Sequence, residues 1–138
     1  MHKVIAFLDV CGFTGYTAEH GDAAAVALML ALRADVEHEA QAAGIHIVKW
    51  LGDGAMLAGD EPRVVAACLY RVMVRAREAE APPLRAALTA GPVQQLTDPT
   101  DYLGAVVNRA ARLCAVAGPW HVVAEAGSGR VRFTPLAA

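Results

Sequence analysis

The apolar positions of the chain change period several times, and each change marks an element. Val4-Ile5-Ala6-Phe7-Leu8 is a continuous β-favouring run that ends on Asp9, the pattern of a central strand covered on both faces. Gly12, Thr14, Gly15 and Thr17 follow and predict a turn region. From Asp22 the apolar residues fall at helical spacing, with Ala25, Met29, Leu32 and Val36 on one stripe and Gly44 as the stop. Ile45 to Leu51 predicts a second strand. Gly52-Asp53-Gly54 before Ala55-Met56-Leu57-Ala58 predicts a tight hairpin with Asp53 at its tip, since Asp-Gly supplies the positive φ angles of such turns. A second helix runs from near Pro62 to about Glu80, with Val65, Leu69, Val72 and Ala76 inward and Pro82-Pro83 ending it. Leu84 to Val93 returns as a strand. A loop with Asp98, Pro99 and Asp101 leads to a third helix, about Ala105 to Ala117, closed by Gly118-Pro119, and short strands at about 120 to 124 and 130 to 134 follow.

This order predicts an α+β layer, with helices on one face of a largely antiparallel sheet around a ferredoxin-like βαββαβ core. The 138 residues suit a single domain, 1–138, with no separate regulatory domain. Twelve Lys plus Arg against 14 Asp plus Glu offer no basic field for nucleic acid. The longest apolar stretch, Ala23 to Leu32, is far shorter than the roughly 20 residues of a membrane span, and no export signal opens the chain. A cytoplasmic protein is expected, with Cys11, Cys68 and Cys114 as buried free thiols. The 56% hydrophobic content predicts that some apolar surface is buried against another chain.

The chemistry begins with Asp9 and Asp53. Carboxylates at the ends of buried strands are costly unless a cation or hydrogen bonds compensate them. Mg²⁺ binds through one or two carboxylates plus substrate phosphates, so a pair on neighbouring strands points to phosphate chemistry. The plainer reading, that Asp9 caps a helix and Asp53 makes a turn, stays open at this level. On the third helix, Val106, Ala110, Leu113 and Ala117 form the apolar stripe, while Asn108 and Arg112 share an outward face. Asn and Arg one turn apart can donate several hydrogen bonds to an anionic centre, the Arg as a planar fork. The alternative is a solvated polar face.

Three segments carry a family resemblance: Phe7-Leu8-Asp9-Val10-Cys11-Gly12-Phe13-Thr14; Lys49-Trp50-Leu51-Gly52-Asp53-Gly54; and Asp101-Tyr102-Leu103-Gly104 continuing through Val107-Asn108-Arg109-Ala110-Ala111-Arg112-Leu113. Together, in this order, the chain resembles the class III adenylate/guanylate cyclase catalytic domain over about residues 3 to 125. The resemblance implies that Asp9, Asp53 and the carbonyl of Val10 hold two Mg²⁺ (or Mn²⁺) ions per active site. It implies that the amides of Gly12, Phe13 and Thr14 receive the terminal phosphates, and that Arg85 contacts phosphate. Lys49 and Asp101 match the purine-selecting pair. A Lys that donates to ring N1 and an Asp that accepts from the N6 amino group suit ATP over GTP. Asn108 and Arg112 match the pair that stabilises the transition state. In this family these residues and the purine pair face the metal aspartates of the opposite subunit, so a homodimer with composite sites, and cyclisation of ATP to cyclic AMP and pyrophosphate, are implied.

The chain also departs from the family pattern. No lysine follows Lys49, where a C-terminal hairpin lysine is usual, and Arg130 and Arg132 are the nearby cations. Thr89 stands where histidine is common and Ala87 where glycine is. The alternative reading is a cyclase-like module that binds nucleotide or dimerises without turnover. A palm-type diguanylate cyclase is set aside, because its Gly-Gly-Asp/Glu-Glu-Phe signature is absent. His20, His38, His46 and His121 lack metal-ligand spacing. Trp50 reads as a packing anchor that could also wall the purine pocket, and Arg71, Arg75 and Arg77 as a solvated helix face.

Overall fold

The computed structural model describes residues 1–126 and 129–132, with side chains through residue 125. The expected βαββαβ core is present as β1 (His2–Val10), α2 (Asp22–Ala43), β2 (His46–Leu51), β3 (Gly54–Gly59), α3 (Pro62–Glu78) and β4 (Leu84–Pro92). The strand order β2-β3-β1-β4 is antiparallel throughout, and β7 (Val122–Ala126) adds parallel to β4, followed by β8 (Gly129–Arg132) antiparallel to β7. Of the final predicted strand, residues 133 and 134 lie outside the described residues, as do the side chains of Arg130 and Arg132.

The alternation of β1 assigns its two faces. Val4, Ala6, Leu8 and Val10 pack with Leu32 and Val36 of α2 and with Val65, Leu69 and Val72 of α3. Ile5 points the other way, into a cluster with Met56, Tyr102, Val106 and Ala110, and Phe7 packs against that cluster and against Leu113 and Cys114. The helix α4 (Ala105–Val116) therefore covers the opposite face. The expectation of helices on one face is corrected: α2 and α3 lie on one side of the sheet and α4 on the other. A six-stranded sheet with apolar residues on both faces of its central strand needs a layer on each.

Two further elements differ from the sequence reading. The segment expected as a turn forms a short helix, α1 (Phe13–His20), with Gly12 at φ 67° before it and no side chain capping it. Its residues are nowhere buried, so it lacks the apolar stripe by which a helix is read from sequence. The expected loop before α4 contains a two-stranded ribbon, β5 (Gln94–Leu96) with β6 (Asp101–Leu103). Arg71 and Arg75 are not simply solvated: both approach Glu39 of α2, at 3.2 and 2.6 Å, and tie the two helices together. Arg77 lies over the Trp120 ring. Cys68 and Cys114 are buried and Cys11 half-buried, all three free.

Candidate active site

The stripe that carries Ile5 and Phe7 toward α4 has Asp9 as its last member. Opposite it on β3 is Gly54, and the backbone N–H of Val10 donates to the Asp53 carbonyl at 2.9 Å, so the two aspartates sit at adjacent strand ends. Gly54 permits this closeness. A Cβ there would lie 1.9 Å from the Leu8 carbonyl oxygen and 2.8 Å from Cα and Cβ of Asp9. Gly54→Ala is expected to destabilise the fold by about 3 kcal/mol, since backbone must move to admit the methyl group. Chemical denaturation checks this, and a loss within about 0.5 kcal/mol, the range of an inert surface change, would contradict the geometry.

On the other side Asp9 faces Arg85 of β4, its direct cross-strand partner. The Arg85 fork donates to both carboxylate oxygens, Nε to Oδ1 at 2.7 Å and Nη2 to Oδ2 at 3.2 Å, while Nη1 donates to the Ala115 carbonyl of α4 at 2.8 Å. The Cys114 thiol lies 3.7 Å from Asp9 Oδ1. Burial, and then the charge of Asp9, push that thiol far above its ordinary value, so it stands beside Asp9 as a neutral weak donor. The sequence reading did not find these partners of Asp9. The signal was the alternation of β4, where Arg85, Ala87 and Thr89 share the α4 face, but only the β1–β4 register sets Arg85 against Asp9.

Could this site hold a hard cation? Its donors are two carboxylates on adjacent strand ends and a nearby backbone carbonyl, all oxygens, which fits Mg²⁺ or Mn²⁺. Among the described residues no group of three or more His, Cys, Asp or Glu is placed to hold a metal. Such an ion would complete its coordination with water or with oxygens of a bound substrate.

Lys49 and Asp101 come together from β2 and β6, Nζ to Oδ2 at 3.0 Å, with the Tyr102 N–H donating to Oδ1 at 2.8 Å. The Lys49 hydrogen bond, and then that N–H, hold the Asp101 carboxyl below the usual carboxylate range. A bulge between Ile47 and Lys49 turns Trp50 to the α2 side, where Arg33 stacks over it 5.0 Å away. Trp50 is thus the packing anchor, not a wall beside Lys49.

Along α4, Val106, Ala110, Leu113 and Cys114 are buried, whereas Asn108 and Arg112 are exposed. The structure does not bring Asn108 or Arg112 into contact with the aspartates of their own chain through any described hydrogen bond or ion pair. Thr89, where histidine is common in the resemblance, is fully buried and donates to the Val106 carbonyl at 2.7 Å. That departure serves the packing of α4 on the sheet. Near the aspartates, α1 begins at Gly12, and the N–H groups of its first turn have no side-chain cap, the condition in which a helix start attracts anions.

The architecture that positions these residues is the class III cyclase fold. Over 89% of this chain and 76% of the other, at a TM-score of 0.81 and 20% identity, it superposes on the catalytic core of a rhodopsin-guanylyl cyclase with converted specificity in complex with ATPαS. A bacterial light-regulated adenylyl cyclase matches with a TM-score of 0.81 and 19% identity, over 90% of this chain and 43% of that one. In sequence, the chain is 35% identical over 123 residues to an uncharacterized protein of Mycobacterium tuberculosis (strain H37Rv), covering 88% of this chain and 32% of the relative. The chain spans about a third of the length of the curated relatives it matches. No protein-family model matches it. Among the described residues, no helix is long and apolar enough to cross a membrane.

Proposed function

We propose that the chain is the catalytic domain of an adenylate cyclase, forming cyclic AMP and pyrophosphate from ATP at sites shared by two copies of the chain. The observation that carries this reading is the division of the site. Asp9 and Asp53 lie at adjacent strand ends, whereas Asn108 and Arg112 stand exposed on α4 and turn away from the core. A two-fold dimer gives each half its complement. The exposed Leu96 and Leu103 support it: they share one face of the β5–β6 ribbon with Asp101, because Leu96 pairs with Asp101 and Leu103 with Gln94.

In this reading Lys49 of the copy opposite the metal aspartates donates to adenine N1 and Asp101 of that same copy accepts from N6, which orients the nucleotide. Amides at the start of α1 receive the terminal phosphates. Two divalent cations held by Asp9, Asp53 and the Val10 carbonyl would supply activation of the ribose 3′-hydroxyl and neutralisation of phosphate charge. Asn108 of the other copy orients the ribose, and Arg112 donates its fork to the α-phosphate as charge builds there. The 3′-oxygen then bonds to the α-phosphorus as the bond to pyrophosphate breaks.

Incubating the purified protein with ATP or GTP and Mn²⁺ or Mg²⁺ tests the proposal. Cyclic AMP is expected, with kcat/KM for GTP lower by about tenfold or more. Formation of cyclic GMP from GTP in preference to cyclic AMP from ATP would overturn the assignment of Lys49 and Asp101. The occupied carboxylate of Asp9 favours a second reading, a module that binds nucleotide without turnover. Nucleotide binding without any cyclic product would select it.

A further inference from the structure

The carboxylate expected to bind a cation already has one. Arg85 engages both oxygens of Asp9, and its remaining nitrogen donates to Ala115 of α4, so each of the three guanidinium nitrogens has a partner inside the chain. The Asp9 side chain is only 19% exposed and that of Arg85 29%, so the pair is partly shielded from solvent and salt. We propose that Arg85 is a cationic latch on Asp9, displaced when a divalent cation enters, and that its displacement frees the guanidinium for substrate phosphate. This rests on the reading of Asp9 and Asp53 as cation ligands and adds an order of events to it.

The argument is one of charge and geometry. Without a counter-ion, a shielded carboxylate beside a second aspartate at the same strand ends is unfavourable. A bidentate guanidinium removes that cost in the resting chain. A divalent cation on the same oxygens meets the like charge of Arg85 at close range, so the two occupants exclude one another. Removing Arg85 therefore leaves an unsatisfied carboxylate that binds a cation more tightly. If Arg85 served only substrate phosphate, its loss would leave cation affinity without nucleotide unchanged.

The test is Mn²⁺ binding by the full chain in the absence of nucleotide, read by electron paramagnetic resonance of the free ion. Arg85→Gln is expected to bind Mn²⁺ on the order of tenfold more tightly than the wild type, within the usual range of coupling between two sites. Arg85→Lys, which keeps the charge, is expected to lie nearer the wild type. A second measurement needs no variant that must fold: the Arg85 Nε–H resonance of the wild-type chain is expected to shift during titration with Mg²⁺. Equal or weaker Mn²⁺ binding by folded Arg85→Gln, or an unmoved Nε–H resonance at saturating Mg²⁺, overturns the latch while leaving cation binding intact. Absence of Mn²⁺ binding by both wild type and Arg85→Gln overturns the cation reading itself, and the latch with it.

Discussion

Asp53→Ala and Arg112→Ala chains, each without cyclase activity alone, are expected to recover about a quarter of wild-type activity when mixed in equal amounts. The figure follows from two-fold assembly. About half of the randomly formed dimers are mixed, and each mixed dimer has one site carrying both defects and one carrying neither. The structure makes this a sharp test, because Asp53 adjoins Asp9 at the strand ends whereas Arg112 is exposed on α4. If both groups acted within one chain, every chain in the mixture would keep a defect and no activity would return. Mixed dimers confirmed by native mass spectrometry, with no recovery, would rule out the composite site.

Exchange of the purine pair should have the second large effect. Lys49 and Asp101 are 3.0 Å apart, so Lys49→Glu alone would set two carboxylates against each other and confound specificity with repulsion. Lys49→Glu with Asp101→Ser avoids this. The Glu accepts from guanine N1–H and the 2-amino group, and the Ser donates to O6. Adenine then faces groups of the wrong polarity, and unpaired polar groups in a site discriminate strongly. The expected result is a fall in kcat/KM for ATP on the order of 10³-fold, with GTP becoming the better substrate. Steady-state kinetics with both nucleotides measure it, and an unchanged ratio would remove Lys49 and Asp101 from base selection.

Much of the candidate site was legible before the fold was seen. Helical arithmetic alone placed Val106, Ala110 and Leu113 inward and Asn108 with Arg112 outward, and the structure agrees. The apolar runs and the Gly/Asp cluster at 52–54 put Asp9 and Asp53 at strand ends, but the turn itself differs from the one expected. Gly52 and Asp53 form the loop between the paired Leu51 and Gly54, no residue of it has positive φ, and Gly54 belongs to β3, where it admits the Leu8 and Asp9 backbone. The short helix α1 was not legible, because it buries no residue and so imposes no apolar period. Neither was the β5–β6 ribbon: three-residue strands are too short to show alternation.

The sequence by itself determined the order of the core strands and of the three amphipathic helices, the ferredoxin-like core and the residues with chemistry to offer, because those depend on local period and turn chemistry. The tertiary structure decided which residues answer one another. It set α4 on the face opposite α2 and α3, joined Lys49 to Asp101 across 52 positions and placed Arg85 on Asp9 across 76. Strand register and the burial of charge act between segments distant in sequence, and no periodicity along the chain encodes them.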